Sequence, residues 1–318
     1  MSKIAFGPVP SRRLGKSIGI NNIPPKVCSY ACIYCQLGRA IEMGYQRREF
    51  YNPEQVIEMV TRQVRKAEEL GEDIDYLTFV PDGEATLDMH LGTEILALKK
   101  LGYKLGIITN SSLINREDVQ EELLDLDLVS LKVDAADKDT WKRINRPHKQ
   151  LHFEDIRRGL QGFASRYQGK LITETMLIDG VNDSGESLEQ TASLIADLHP
   201  SAAYISIPTR PPARSDVRPA TEKVINQAYQ VFSEHIDHVE LIIGHEGNAF
   251  AHTGDTASDI LSITAVHPMR EDSVREFLEK DQQSWDLVEQ LVQEQKLLET
   301  EFGGRKFYVR KLADRQHT

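Results

Sequence analysis

Along this chain, short apolar runs alternate with longer stretches whose apolar residues recur every three or four positions. "SIGINNI" (17–23), "DYLTFV" (75–80), "KLGIIT" (104–109) and "LVSLKVD" (128–134) are runs of the first kind. "KLITETML" (170–177), "AYISI" (203–207) and "VELII" (239–243) continue the series. Their length and β-branched content predict buried strands. Between them, residues 52–70, 91–101, 115–126, 152–167, 184–198 and 220–235 carry helical periodicity. The first of these opens on Asn52 and Pro53, which suit an N-cap and a first turn. Alternation of this kind predicts parallel strands joined by helical crossovers. Seven strand candidates fall short of a closed eight-unit barrel. The expected fold class is therefore α/β, an open, partial (β/α)6 TIM-like barrel.

After "GHEGNAFAHTGD" (244–255) the alternation stops. Residues 257–268, 270–281 and 284–295 read as three helices, and 296–312 as a hairpin turning at Gly303–Gly304. Three helices followed by a two-stranded wing make a winged-helix pattern. The expected division is a barrel domain over 1–250 and a small winged-helix domain over 251–318.

Composition narrows the class. Of 318 residues, 40% are hydrophobic and 27% charged, enough for a sizeable core under a solvated surface. No apolar run reaches the ~20 residues needed to span a bilayer. The start, "MSKIAFGPVPSRRLGKS", lacks the apolar stretch of a signal peptide, so the expected location is the cytoplasm, away from membranes. A net charge of −11 disfavours a large nucleic-acid footprint. Local basic clusters nevertheless stand at Arg12 and Arg13, at Arg143, Arg146 and His148, and at Arg210, Arg214 and Arg218. Arginine forks suit phosphates and carboxylates, so the clusters near strand ends are candidates for holding an anionic substrate. Arg12 and Arg13 are expected to close over the barrel mouth. In the C-terminal pattern, the third helix, "SWDLVEQLVQEQ", is acidic and has no lysine or arginine. Phosphate contacts need basic residues, so sequence-specific DNA binding is disfavoured. Only the wing, with Arg305, Lys306, Arg310 and Lys311, is basic. Docking of protein or RNA is the expectation there.

The chain's three cysteines all fall in "KVCSYACIYCQLG", at Cys28, Cys32 and Cys35. Thiols so tightly spaced form no disulfide framework and read as soft-metal ligands in a reducing compartment. A structural zinc wants four ligands, and so does a [4Fe-4S] cluster. Three thiolates would leave one iron of a cluster open to bind a substrate or cofactor. A zinc site completed by a distant histidine remains a second reading, and three incidental thiols a third.

"CSYACIYC" resembles the Cx3CxΦC signature of the radical S-adenosylmethionine (SAM) superfamily, with Tyr34 at the aromatic position. The resemblance covers roughly residues 15–245. It implies a [4Fe-4S] cluster on Cys28, Cys32 and Cys35 whose open iron binds SAM. Reductive cleavage then yields a 5′-deoxyadenosyl radical that abstracts hydrogen from a substrate. It also implies a partial (β/α)6 barrel and an electron donor such as flavodoxin or ferredoxin. "FVPDGEATL" (79–87) resembles the family's GGE segment, which holds the SAM amino group, through Asp82, Gly83 and Glu84. Here Asp82 stands where members often have glycine, and Ala85 where they often have proline. By position, Asn110, Ser111, Lys132 and Asp134 match residues that contact the SAM ribose and carboxylate. The backbone around Ile207 and Pro208 matches the adenine-holding segment. Glu174 is a buried carboxylate candidate facing either the barrel interior or the helices.

"GPVPSRRLG" together with the cysteine motif resembles a narrower branch, the Fe–S oxidoreductases similar to tRNA wyosine-base synthases. That branch implies tricyclic-base chemistry on a tRNA guanosine. Archaeal enzymes of that type carry a second cluster on additional cysteines, which this chain lacks, so that chemistry is not expected. The expected substrate is a tRNA nucleoside, another phosphorylated small molecule or other anion, or a peptide docked by the winged helix. No second cysteine offers a radical relay, and Tyr204 is the substitute considered. A rival reading makes the protein an iron–sulfur redox-sensing regulator acting through the winged helix.

Overall fold

The computed structural model describes residues 4–11, 13–38, 40–209, 212–243, 255–264, 269–302 and 304–311. Its chain opens with a hairpin of β1 (Ala5–Ser11) and β2 (Gly15–Ile20), then a long loop carrying the short strands β3 (Val27–Cys28) and β4 (Glu42–Met43). The alternating part follows as α1 (Pro53–Glu69), β5 (Tyr76–Phe79), α2 (Leu91–Leu98), β6 (Lys104–Thr109), α3 (Glu117–Leu123) and β7 (Leu128–Lys132). It continues with α4 (Lys138–Asn145), α5 (Phe153–Arg166), β8 (Lys170–Met176), α6 (Gly185–Ala196), β9 (Ala202–Ser206), α7 (Glu222–His235) and β10 (Val239–Ile242). The helix starts obey local chemistry. Asn52 Oδ1 accepts from Glu54 N at 2.8 Å, with Pro53 filling the first helical position. Ser184 and Thr221 cap α6 and α7 in the same way.

One eight-stranded sheet runs in the order β1-β2-β5-β6-β7-β8-β9-β10. β1 is antiparallel to β2, and every later pairing is parallel. Six crossovers thus link seven parallel strands, and the curled sheet forms the expected open (β/α)6 half-barrel with one more parallel strand at its end. β1 was not among the expected strands. It contains Pro8 and Pro10, which an edge strand tolerates because it need not pair on both sides.

Strand periodicity sorts the two faces of the sheet. Val129 and Leu131 of β7, Leu171 of β8, and Ala203 and Ile205 of β9 join the large core shared with the helices. The alternate positions Leu128, Ile172, Ala202 and Tyr204 form a separate cluster with Leu14 from the hairpin turn. Further along the same face come Ser130 and Lys132 of β7, Glu174 of β8 and Ser206 of β9. The inner face is thus apolar near the strand starts and polar toward their C-terminal ends, where ligands of such folds bind.

Beyond residue 254, α8 (Thr256–Thr264), β11 (Met269–Arg270), α9 (Glu271–Lys280), α10 (Asp286–Gln293), β12 (Leu297–Phe302) and β13 (Arg305–Arg310) follow. Their antiparallel sheet runs β11-β13-β12. Ile260, Val274, Leu278, Val288, Leu291, Leu297 and Tyr308 make a core of their own. The three helices and the hairpin stand where the periodicity put them, with β11 in addition. Strands β12 and β13 pack on α7, and Lys311 pairs with Glu222 of that helix at 2.9 Å. Gly303 and the expected boundary at residue 250 lie outside the described residues.

Candidate active site

The cysteine loop follows β2 and is held by backbone from two directions. On one flank, Lys26 N donates to Asp82 O at 2.5 Å and Glu84 N to Val27 O at 3.1 Å. This pairing brings the chain at Gly83 so close that a Cβ there would sit 2.0 Å from the Val27 carbonyl oxygen. Only glycine fits that approach. On the other flank, Ala31 N donates to Asn145 O (3.0 Å), Ile33 N to Ile144 O (2.9 Å), His148 N to Ser29 O (2.9 Å) and Arg214 N to Ile33 O (3.1 Å).

Side chains complete the docking. Asn110, just after β6, gives its amide Nδ2 to Ser29 Oγ at 3.0 Å and to Cys28 Sγ at 3.4 Å. Asn145, the last residue of α4, gives its Nδ2 to Asp134 Oδ2 at 2.7 Å and to Cys32 Sγ at 3.5 Å. Asp134 also accepts the Tyr34 hydroxyl at 2.7 Å and Met176 N at 2.9 Å. Tyr30 accepts from Trp141 Nε1 at 3.1 Å and meets that ring edge-on.

All three thiols are free and half-buried. Burial pushes the Cys28 thiol up to about 12, helped by the negative Glu84 and opposed by the Asn110 amide. Burial and Asp134 push Cys32 up as well. Both stay protonated until a metal displaces the proton. Among the described residues, no three His, Cys, Asp or Glu side chains are grouped to hold a single metal ion. A lone zinc would need its thiolates about 3.8 Å apart, given ~2.3 Å Zn–S bonds in a tetrahedron. A cluster that takes one thiolate per iron spreads them further. His90, the histidine nearest the motif in sequence, is engaged with Glu49 at 3.0 Å. Three soft thiols without a fourth side-chain ligand beside them suit an iron–sulfur cluster that keeps one iron open. Beside it, Ser111 holds a left-handed backbone (φ 65°), and its buried hydroxyl has no hydrogen-bond partner in the structure. An orphaned polar atom here suits a polar cofactor.

Glu84 is only 1% exposed. Its carboxylate accepts from Thr86 N, Thr86 Oγ1, Thr109 Oγ1 and Asn110 N at 2.6–3.0 Å. Burial raises its pKa against those four bonds. Glu84 therefore ties the Gly83 turn to the end of β6, one layer deeper than a ligand-facing carboxylate. Asp82 is half-buried and presents its carbonyl to Lys26.

Glu174 points to the barrel interior. It receives Lys132 Nζ at 2.7 Å, Ser206 Oγ at 3.0 Å and the Arg13 guanidinium. Arg13 thus reaches inward from the turn that leads into β2, at the start of the strands, and does not close over their C-terminal mouth. Arg12 and Arg210 lie outside the described residues. Burial alone would raise the Glu174 pKa, but Lys132 and Arg13 hold it well below the usual carboxylate range. Lys132 loses basicity to burial and regains more from Glu174 and Asp134. Its ammonium lies 5.2 Å over the Tyr34 ring and 4.0 Å from Asp134. A connected polar chain therefore runs from Arg13 through Glu174, Lys132 and Asp134 to the cysteine loop.

The remaining candidates separate. Arg143, Arg146 and Arg214 line one cleft beside Ile33. His148 instead stacks on Tyr45, with 4.9 Å between ring centres. Ile207 is buried in the large core after β9, and Tyr204 in the inner apolar cluster. Asn145 was not among the expected residues, and neither were Lys142 and the 178–181 turn of the cleft. Asn145 sat unremarked between the two arginines of "RINRPH".

Residues 22–195 match the Radical SAM superfamily. A UPF0026 protein of Methanocaldococcus jannaschii is 46% identical over 98% of this chain and 97% of its own length. A UPF0026 protein of Helicobacter pylori (strain J99) is 36% identical over 65% of this chain and 67% of its own. Among solved structures, TYW1 with a lysine-pyruvate adduct bound superposes with a TM-score of 0.53 at 16% identity, over 70% of this chain and 75% of that one. A radical SAM methyltransferase from Sphaerobacter thermophilus gives 0.54 at 15% identity, over 71% and 66%. At such identities the structural likeness speaks for the fold.

Two predictions follow from this geometry. Gly83→Ala should lose ~1–3 kcal/mol of stability in thermal or urea unfolding. It should also speed alkylation of Cys28 and Cys32 by detaching their loop. Gly162→Ala in α5, where an added Cβ meets nothing within 4 Å, should be neutral or slightly stabilising. The second concerns charge. Because the folded Glu174 pKa is depressed, its contribution is complete above the unfolded value of about 4.3 and is lost as pH falls below it. Glu174→Gln should abolish that acid-side dependence and cost ~3–5 kcal/mol, since Lys132 and Arg13 would be left without their carboxylate. Unfolding curves between pH 3 and 7 check both statements.

Proposed function

The chain belongs to the radical SAM superfamily, and on that premise we propose that it takes hydrogen from an anionic substrate in the barrel mouth. A [4Fe-4S] cluster with SAM supplies the reductively generated 5′-deoxyadenosyl radical for that step. Cys28, Cys32 and Cys35 would hold the cluster. The observation that carries the reading is the placement of three free thiols in one loop pinned over the C-terminal ends of β5, β6 and β7.

Each neighbour then has a defined task. Asn110 and Asn145 orient two sulfurs and donate N–H bonds to them. Glu84 fixes Asn110 by accepting its main-chain N–H. Asp82, Gly83 and Ser111 lie around the loop as binding positions for SAM, while the buried Asp134 holds Tyr34 and Asn145 in place beside them. Lys132 stays charged on Glu174, so it orients an anionic group and offers no free amine.

The C-terminal unit reads as a winged helix used for docking. Its α10 carries Asp286 and Glu289 in its first turn and no basic residue in its last, which disfavours DNA reading and with it the redox-regulator alternative. Among the wing's basic side chains, Lys306 is paired with Glu299 and Lys311 with Glu222. The reading places the protein in the cytoplasm with a flavodoxin or ferredoxin as reductant. Among the described residues, no helix is long and apolar enough to cross a membrane.

Anaerobic reconstitution with iron and sulfide should load about four irons per chain. Dithionite and SAM should then release 5′-deoxyadenosine and methionine. Replacement of all three cysteines by serine should remove both outcomes. Stoichiometric zinc without iron, or unchanged loading in the triple variant, would overturn the reading.

A further inference from the structure

Beside the cysteine loop lies a cleft of about 510 Å³ that none of the cluster-binding residues explains. Its floor is aliphatic. Ile33, Ile178 and Val217 form, with Ile144, a small core distinct from that of the barrel. Its rim is cationic, made of Lys142, Arg143 and Arg146 from the end of α4 and Arg214 from the segment after β9. Two carboxylates, Asp179 and Asp216, stand against these four cations. Arg214 occupies Asp216 through both Nε and Nη2. Arg143 spends one nitrogen on Gly180 O at 3.1 Å. Among the described residues, the side chains of Lys142 and Arg146 form no ion pair.

Surface arginines are ordinarily scattered and solvated. Here three come from two separate segments onto one concavity, and the backbone of both segments is tied to the cysteine loop. Arg146 carries a left-handed backbone (φ 44°) and gives its carbonyl to Ala31 N at 3.2 Å. Arg214 N donates to Ile33 O at 3.1 Å. The volume falls within the ~300–1,000 Å³ of small-molecule pockets. An arginine rim favours a phosphate through paired N–H donors, and an aliphatic floor favours an attached apolar skeleton.

We propose that this cleft binds the phosphate of a phosphate-ester substrate, with the ester's carbon portion lying over Ile33, Ile178 and Val217. The substrate role rests on the radical SAM reading, whereas the phosphate affinity does not. The shared chemistry is a phosphate ester, whether on a small molecule or in a nucleic-acid backbone.

The test uses the full cluster-loaded chain with saturating SAM, so that a nucleotide probe cannot report the adenosine site. Calorimetric titrations with inorganic phosphate, uridine monophosphate and a uridine hexanucleotide follow. Uridine monophosphate should bind more tightly than phosphate, and affinity should fall with salt. The double variant Arg143→Ala, Arg146→Ala should weaken it about tenfold or more, the scale of losing charge-assisted hydrogen bonds. Iron content and thermal unfolding report whether that variant remains folded. If it does not, Lys142→Glu, at an exposed position, carries the same expectation. Preference for the hexanucleotide over the monophosphate would assign the phosphate to a nucleic-acid backbone, and the reverse to a small ester. Absence of binding by all three probes, or equal binding by folded variants, overturns the cleft assignment and leaves 5′-deoxyadenosine formation untouched. Phosphate binding without SAM cleavage would overturn the reaction and leave the cleft as a phosphate site.

Discussion

Everything at this site depends on how closely two stretches of backbone approach at Gly83. The cysteine loop has little regular structure of its own, since β3 and β4 are two residues each. It is positioned because Val27 pairs with the chain at Glu84, and no side chain could stand between them. Glu84 then carries that position onward to β6 through Thr109 and Asn110. A loop that must present three soft ligands gains its rigidity from the barrel.

The barrel interior states the same principle in charge. Two cations and one carboxylate lie together among Arg13, Lys132 and Glu174, with Asp134 next in line. Burying ions is expensive, and hydrophobic replacements of such groups often leave a protein as stable or more so. The network is better understood as a specificity device. It locks the β1–β2 turn into the strand interior and fixes Asp134, on which Tyr34 and Asn145 converge. The inner face can afford this because Leu14, Leu128 and Ile172 already seal its lower end.

Much of this architecture is legible in the sequence. Buried parallel strands write themselves as apolar runs, and their crossover helices as amphipathic ones, so six units emerged from periodicity alone. The cysteine trio was legible because its ligands are local in sequence. What stayed hidden was long-range. Arg13 meets Glu174 across 161 positions, and Asn145 meets Cys32 across 113. No local pattern predicts such partners, so Arg13 was expected at the wrong end of the barrel. Glu84 shows another limit of local patterns. Its motif is recognisable, but a carboxylate four times hydrogen-bonded and one open to a ligand look alike in sequence. β1 was missed because prolines argue against a strand everywhere except at an edge.

The asparagines join these themes. Each donates one amide to an anchoring oxygen, Ser29 or Asp134, and to a thiol sulfur. The same N–H groups that dock the loop therefore also set the charge environment of Cys28 and Cys32. Hydrogen bonds to cluster sulfurs are among the levers that tune a reduction potential. Among the described residues, Cys35 has no comparable side-chain donor, and its backbone N–H turns back to Cys32 O at 3.1 Å. The three positions are thus unequal before any metal arrives. Two are braced from opposite flanks of the barrel, and the third depends on the turn that the other two hold in place.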